Sequence, residues 1–188
     1  MKLSDFGFTE GINEIIAITR GVSDAGELNA APIGIIVEDA SSRVARARLF
    51  PSHTKENVEN GSPLWANICF DAVLFVISAF EDPGEEFYAS LNPPVLKGAV
   101  VCCRFDVEMD GGTAKLELAE GTVIERPLRA VNRGFNAVIE ATVHATRYAM
   151  GVKNLEEKIR YYGTIVEKCG GSREKEAYKL LLDYIRLK

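Results

Sequence analysis

The chain carries no G-x-G-x-x-G, no Walker A loop, no H-E-x-x-H and no G-x-S-x-G. Dinucleotide-fold, P-loop, zinc-protease and α/β-hydrolase chemistry therefore have no support in it. Histidine is scarce, with only His53 and His144. The four cysteines, Cys69, Cys102, Cys103 and Cys169, form no C-x-x-C pair and stand at no zinc-ligand spacing with the histidines. Reduced structural thiols are the expectation, and no metal site. A basic excess is also missing, since 22 Lys and Arg face 27 Asp and Glu for a net charge of −5. That excludes a broad surface for nucleic acid or anionic membrane, which needs clustered positive charge, but leaves room for a small anion pocket. The longest apolar run, Ala72 to Ala79, falls far short of the about 20 residues that span a bilayer. The opening Met1-Lys2-Leu3-Ser4-Asp5 has no apolar secretory core. A cytoplasmic protein is expected, with no membrane and no nucleic-acid partner.

What is present is an ordinary globular composition, 47% hydrophobic and 26% charged over 188 residues. That length suits one domain with a helical appendage. Residues 1–10 read as a loosely held lead-in. Ile12 to Arg20 is rich in β-branched residues and reads as a strand. Gly21-Val22-Ser23-Asp24-Ala25-Gly26 is turn chemistry, and Ala31 to Glu38 is the returning strand. Pro32 cannot donate to a central ladder, so it belongs at the start or the edge of that strand. Val44 to Phe50 alternates, with Val44, Arg46 and Arg48 on one face.

Pro51 ends that strand, and Thr54 to Asn60 reads as one or two helical turns capped by Ser52 or Thr54. Leu64 to Phe70 and Ala72 to Phe80 read as further strands, the second nearly all apolar and so expected to be buried. Val95 to Glu108 and Thr113 to Ile124 flank the hairpin signal Asp110-Gly111-Gly112. After Pro127 the period shifts to about 3.6, giving helices over Arg133–Met150, Leu155–Lys168 and Arg173–Leu187. In the first of these, Asn136, Glu140, His144 and Arg147 form a polar stripe, read either as a solvated face or as a cover for a ligand pocket. Strands first and helices last predict an α+β fold. The expected division is a barrel domain over 1–128 and a C-terminal helical part over 129–188, packed on the barrel.

Ser52-His53-Thr54 is the first positive signal for function. A helix N-terminus offers free N–H groups and partial positive charge. Two hydroxyls, Lys55 and the strand-borne Arg48 add donors for a phosphate. The same residues also suit plain helix capping.

The blocks Asn29-Ala30-Ala31-Pro32-Ile33-Gly34, Ser52-His53-Thr54-Lys55-Glu56-Asn57-Val58, Gly61 and Leu64-Trp65-Ala66-Asn67 stand in a telling order. In order and spacing they resemble the FMN-binding split barrels of the flavin-reductase type, and more closely a group of poorly characterised prokaryotic split-barrel flavoproteins. The resemblance implies a mostly antiparallel split β-barrel that binds FMN, a homodimer with the flavin at its seam, and redox chemistry with a small-molecule substrate or electron donor. Carried over by position, Ala31, Pro32, Ile33 and Gly34 would border the flavin ring. Ser52 and Thr54 would bind the phosphate, Asn57 would hold that turn or touch the ribityl chain, and Asn67 would lie near the ring or the dimer seam. Gly34 stands where the reductases have serine, and Ser52-His53 where they have Lys-Asp. Arg48 and Lys55 are the obvious substitutes.

Overall fold

In a computed structural model, which describes residues 1–21 and 26–187, the chain forms two compact units. The first comprises Met1–Cys69 and Asp82–Pro127, the second Phe70–Glu81 and Leu128–Lys188. Val22 to Ala25 of the expected turn lie outside the described residues.

The first unit contains β1 (Gly11–Arg20), β2 (Leu28–Val37), β3 (Val44–Arg48), the short helix α1 (His53–Glu59), β4 (Leu64–Cys69), β5 (Tyr88–Leu91), β6 (Pro94–Leu96), β7 (Ala99–Asp110) and β8 (Thr113–Val123). Six of the strands close an antiparallel barrel in the order β1-β2-β3-β8-β7-β4, with β4 returning to β1. Together with the helices this is the α+β architecture expected from the pattern. Alternation decides which residues enter the barrel. Ala45 and Ala47 of β3 point inward, while Val44, Arg46 and Arg48 point out. Ile15, Ile35, Leu64, Phe105 and Leu116 fill the interior beside them. Gly111 and Gly112 form the two-residue turn between β7 and β8, and Gly111 adopts φ +58°.

Three expectations need correction here. Residues 1–10 are no loose lead-in: a 3-10 turn over Leu3–Phe6 sends Leu3, Phe6 and Phe8 into the barrel core. Gly121 of β8 makes that plug possible, because a Cβ there would come within 2.6 Å of the Phe6 ring. Second, the single strand expected over Val95–Glu108 is broken by Lys97-Gly98, where Gly98 turns at φ +79°. The piece before the break is β6, which pairs with β5 in a small separate sheet. Third, Ala72–Phe80 is not a strand.

Those nine residues form α2, the first helix of the second unit. An apolar run of this length carries no period that separates a buried strand from a buried helix. The Asp71 side chain settles the matter by accepting from Val73 N (2.9 Å) and Leu74 N (3.1 Å), which is N-capping. Asp71 is itself gripped by Arg173, at 2.8 Å and 3.1 Å.

The remaining helices are α3 (Arg133–Ala149), α4 (Glu156–Cys169) and α5 (Ser172–Tyr184). Gly170 and Gly171, at the junction of α4 and α5, both have negative φ. Gly134 is required where α3 meets that junction: a Cβ there would lie 2.4 Å from the Gly170 Cα, so two backbones meet. Among the described residues no helix is long and apolar enough to cross a membrane.

Candidate functional site

Strand β2 pairs with β1 along its whole length, from Leu28 opposite Arg20 to Val37 opposite Gly11. On its other side β3 meets it only at Ile35 and Ile36. Among the described residues the edge of β2 from Leu28 to Gly34 therefore has no strand beside it. Ala30 N–H turns to that edge, where it donates to Asp82 Oδ1 at 2.8 Å. Successive residues of a strand alternate in the side to which they offer main-chain groups. Pro32 thus shares the open side with Ala30, and its missing N–H removes no bond from the β1 ladder. Ala31 and Ile33 face β1. The edge reading of Pro32 holds, although it sits well inside the strand. Gly34 lies opposite Glu14, and a Cβ there would come within 2.8 Å of Ile12 Cγ2 and 3.1 Å of Glu14 Oε1. The serine of the reductases is thus replaced where the neighbouring strand crowds in.

Helix α1 lies against this hairpin through two residues three apart. Thr54 Oγ1 donates to Asn29 Oδ1 (2.8 Å), and Asn57 Nδ2 donates to Thr19 Oγ1 (3.0 Å). Thr19 and Asn29 are themselves cross-strand partners of β1 and β2. The T-x-x-N spacing therefore matches one helical face to one rung of the ladder. Thr54, Asn57 and Thr19 are all buried. Ser52 caps α1, accepting from Lys55 N (3.3 Å) and donating to Phe50 O (3.0 Å). The side-chain donors of Ser52, Thr54 and Asn57 thus all have protein partners. Arg48, exposed on the outer face of β3, has no ion-pair partner among the described residues. Lys55 pairs with Glu59 at 3.5 Å and exposed His53 approaches Glu56 at 3.8 Å. Ser52, His53, Lys55, Glu56 and Glu59 line, with Pro51, a surface depression of about 440 Å³.

Asn67 is fully buried and both ends of its amide are in use. It donates to Pro94 O (3.3 Å) and accepts from Leu96 N (2.9 Å), tying β4 to β6. Trp65 is buried, with the Arg20 guanidinium 5.9 Å above its ring. Tyr88, on β5, is only 7% exposed, and its hydroxyl has no hydrogen-bond partner among the described residues. Burial, reinforced by the Asp82 charge and opposed by Arg20, pushes its pKa up to about 12. Cys103 lies in the barrel core, and Cys102 faces the other way, with Sγ 3.9 Å from Pro94 O. Burial raises their thiols to about 12 and about 11. All four cysteines are free, as expected.

The polar stripe of α3 lies in the second unit. Asn136, Glu140 and Arg147 are exposed. His144 is not a solvated member: its ring stacks on Tyr162 at 5.7 Å, and its Nδ1 is buried without a partner among the described residues. Burial, then Lys158 and Arg147, lower its pKa against the opposing pull of Glu140. Two residues that bear on the site were not singled out from the sequence. Asn29 stood only as the first letter of a block, and Asp82 gave no signal within a run of acidic residues. No group of three or more His, Cys, Asp or Glu among the described residues could hold a metal.

The closed six-stranded barrel, with its strand order and C-terminal helices, is an FMN-binding split barrel. A family model described as "Protein of unknown function (DUF447) N-terminal domain" matches residues 13–130, and one described as "Protein of unknown function (DUF447)" matches residues 132–183. The chain belongs to the DUF447 family. It is 39% identical to the FMN-bound protein MM1853 from Methanosarcina mazei, of the same family, with a TM-score of 0.82 over 97% of this chain and 99% of that one. More distant matches include the flavoredoxin of Desulfovibrio vulgaris, at 11% identity and TM-score 0.49 over 65% of this chain and 75% of that one. Another is the styrene monooxygenase flavin reductase of Pseudomonas putida S12, at 12% identity and TM-score 0.45 over 58% and 79%.

Proposed function

We propose that this protein binds FMN beside the open edge of β2 and serves as an FMN-dependent oxidoreductase, a cytoplasmic homodimer working with a small-molecule electron donor. The observation that carries the reading is the FMN-bound relative, 39% identical across 97% of this chain. The residues present fit such a group. A stretch of strand unpaired on one side suits a planar ring with polar edges, and Arg48, a cation without an ion-pair partner among the described residues, suits a phosphate.

In this reading the main chain of Ala31, Pro32, Ile33 and Gly34 borders the ring. Arg48, Ser52 and the first turn of α1 hold the phosphate. Thr54 and Asn57 act on it through the position of α1, since their own side chains bond to Asn29 and Thr19. Asn67 keeps β6 in place alongside. Bound FMN supplies hydride or electron transfer, and the protein supplies orientation and charge.

A second reading is a flavin-holding module without turnover. It is favoured by the commitment of the Thr54, Asn57 and Asn67 side chains to protein partners, which suits holding the site in place. The visible spectrum of the purified protein and titration with FMN test the common part. A colourless protein that takes up no added FMN would sink both readings. NADH and NADPH oxidation with added acceptors separates them, and sedimentation of the loaded protein tests the dimer.

A further inference from the structure

We propose that Asp82 is a positioning residue that fixes the two halves of the FMN site in register with each other. The inference rests on the reading of β2 and α1 as that site. One carboxylate oxygen, Oδ1, accepts from Ala30 N–H at 2.8 Å and from Asn29 Nδ2 at 3.0 Å. The first bond ends the open edge of β2 next to Pro32. The second determines how the Asn29 amide is turned: with Nδ2 committed to a carboxylate, Oδ1 must face the other way. There it receives Thr54 Oγ1 at 2.8 Å. A chain of three bonds thus runs from Ala30 through Asp82 and Asn29 to Thr54, and Ala30 and Thr54 at its ends are each only 2% exposed.

Asp82 is also where the chain re-enters the barrel unit after α2, far in sequence from both segments that it joins. Among the described residues nothing else holds the Asn29 Nδ2. Without Asp82 nothing fixes the rotation of that amide, and Thr54 Oγ1 no longer meets an acceptor held in one place. The first turn of α1 then has a looser tie to β2, and the distance between the strand edge and the phosphate end of the site is no longer fixed.

The test compares the wild-type chain with Asp82→Ala, Asp82→Asn and Thr54→Val. Two quantities are read: exchange protection of the Ala30 amide in flavin-free protein, and the Kd for FMN by fluorescence quenching. Asp82→Ala should abolish the protection and raise Kd about tenfold or more, the scale of one lost charge-assisted bond. Asp82→Asn keeps an acceptor oxygen in place and should restore both to near wild type. Thr54→Val cuts the far end of the chain, so it should raise Kd and leave Ala30 protected; it serves as the second variant if Asp82→Ala does not fold. Unchanged Ala30 protection in Asp82→Ala would overturn the proposal, as would a wild-type Kd with the protection gone. An Asp82→Asn protein as weak as Asp82→Ala would also overturn it, by making charge and not geometry the cause. Failure of the wild type to bind FMN would remove the functional reading alone, because the amide exchange is read without flavin.

Discussion

Strand β2 leaves its edge from Leu28 to Gly34 without a β3 neighbour, whereas α1 has its polar side chains committed to the barrel. The two segments contribute to one site in opposite ways. A strand edge is rigid because the other side of the strand is paired, so it can leave main-chain groups unmatched and still hold their positions. A helix of seven residues is too short to be stable alone and must be held by tertiary contacts. Thr54 and Asn57 supply those contacts, which is why they are buried and why the one hydroxyl donor of Thr54 is spent on Asn29 and an amide donor of Asn57 on Thr19. The lesson concerns motifs in general: a polar residue in a binding signature can serve by placing the backbone that binds.

The sharpest way to break this contrast is Asn57→Ala. It strands the buried Thr19 hydroxyl and should destabilise the fold by about 2–3 kcal/mol, the penalty for a buried unsatisfied group. Urea unfolding that shows no loss would mean that Asn57 does not hold α1. Arg48→Ala is the converse case. Arg48 is exposed and has no ion-pair partner among the described residues, so stability should stay within about 0.5 kcal/mol while FMN binding weakens by about 2 kcal/mol. An unchanged Kd would remove Arg48 from the phosphate end.

Tyr88 tests the wall near Asp82. Its phenol is raised from 10.0 to about 12 in the folded chain, so the unfolded chain ionises first as pH rises. Its stabilising share is complete below pH 10 and is lost as pH climbs through 12, about 2–3 kcal/mol in all. The thiols Cys102 and Cys103 lose theirs over an overlapping range, so the measured quantity is the difference between wild type and Tyr88→Phe. That variant should flatten the decline between pH 10 and 12, and equal slopes would place the phenol in water. The smallest effect belongs to Gly34→Ser. The added Cβ presses on Ile12 and Glu14 side chains, which can shift, so about 1 kcal/mol should be lost. Ile12→Ala in the same chain should restore most of it; a thermal melt showing no rescue would locate the crowding elsewhere.

Much of the fold was legible because its signals are local. The β7–β8 turn is written in Asp110-Gly111-Gly112, the inward alanines of β3 in its alternation, and the open edge of β2 in Pro32. The long helices followed from their period. Ala72–Phe80 was misread because nine residues that are apolar but for Ser78 carry no period, and the deciding group, Asp71, lies outside the run. The N-terminal plug was missed because Leu3, Phe6 and Phe8 are too few to form a pattern, and their place depends on the space left by Gly121.

The candidate site divides in the same way. The order of its blocks and the i,i+3 spacing of Thr54 and Asn57 belong to the sequence by itself, since chain order and helical geometry are local. What those side chains bond to is not local. Asn29 and Thr54 are 25 residues apart, and Asn29 and Asp82 are 53. Only closure of the barrel brings Asp82 to the edge of β2, and only then is the hydroxyl of Thr54 committed to Asn29.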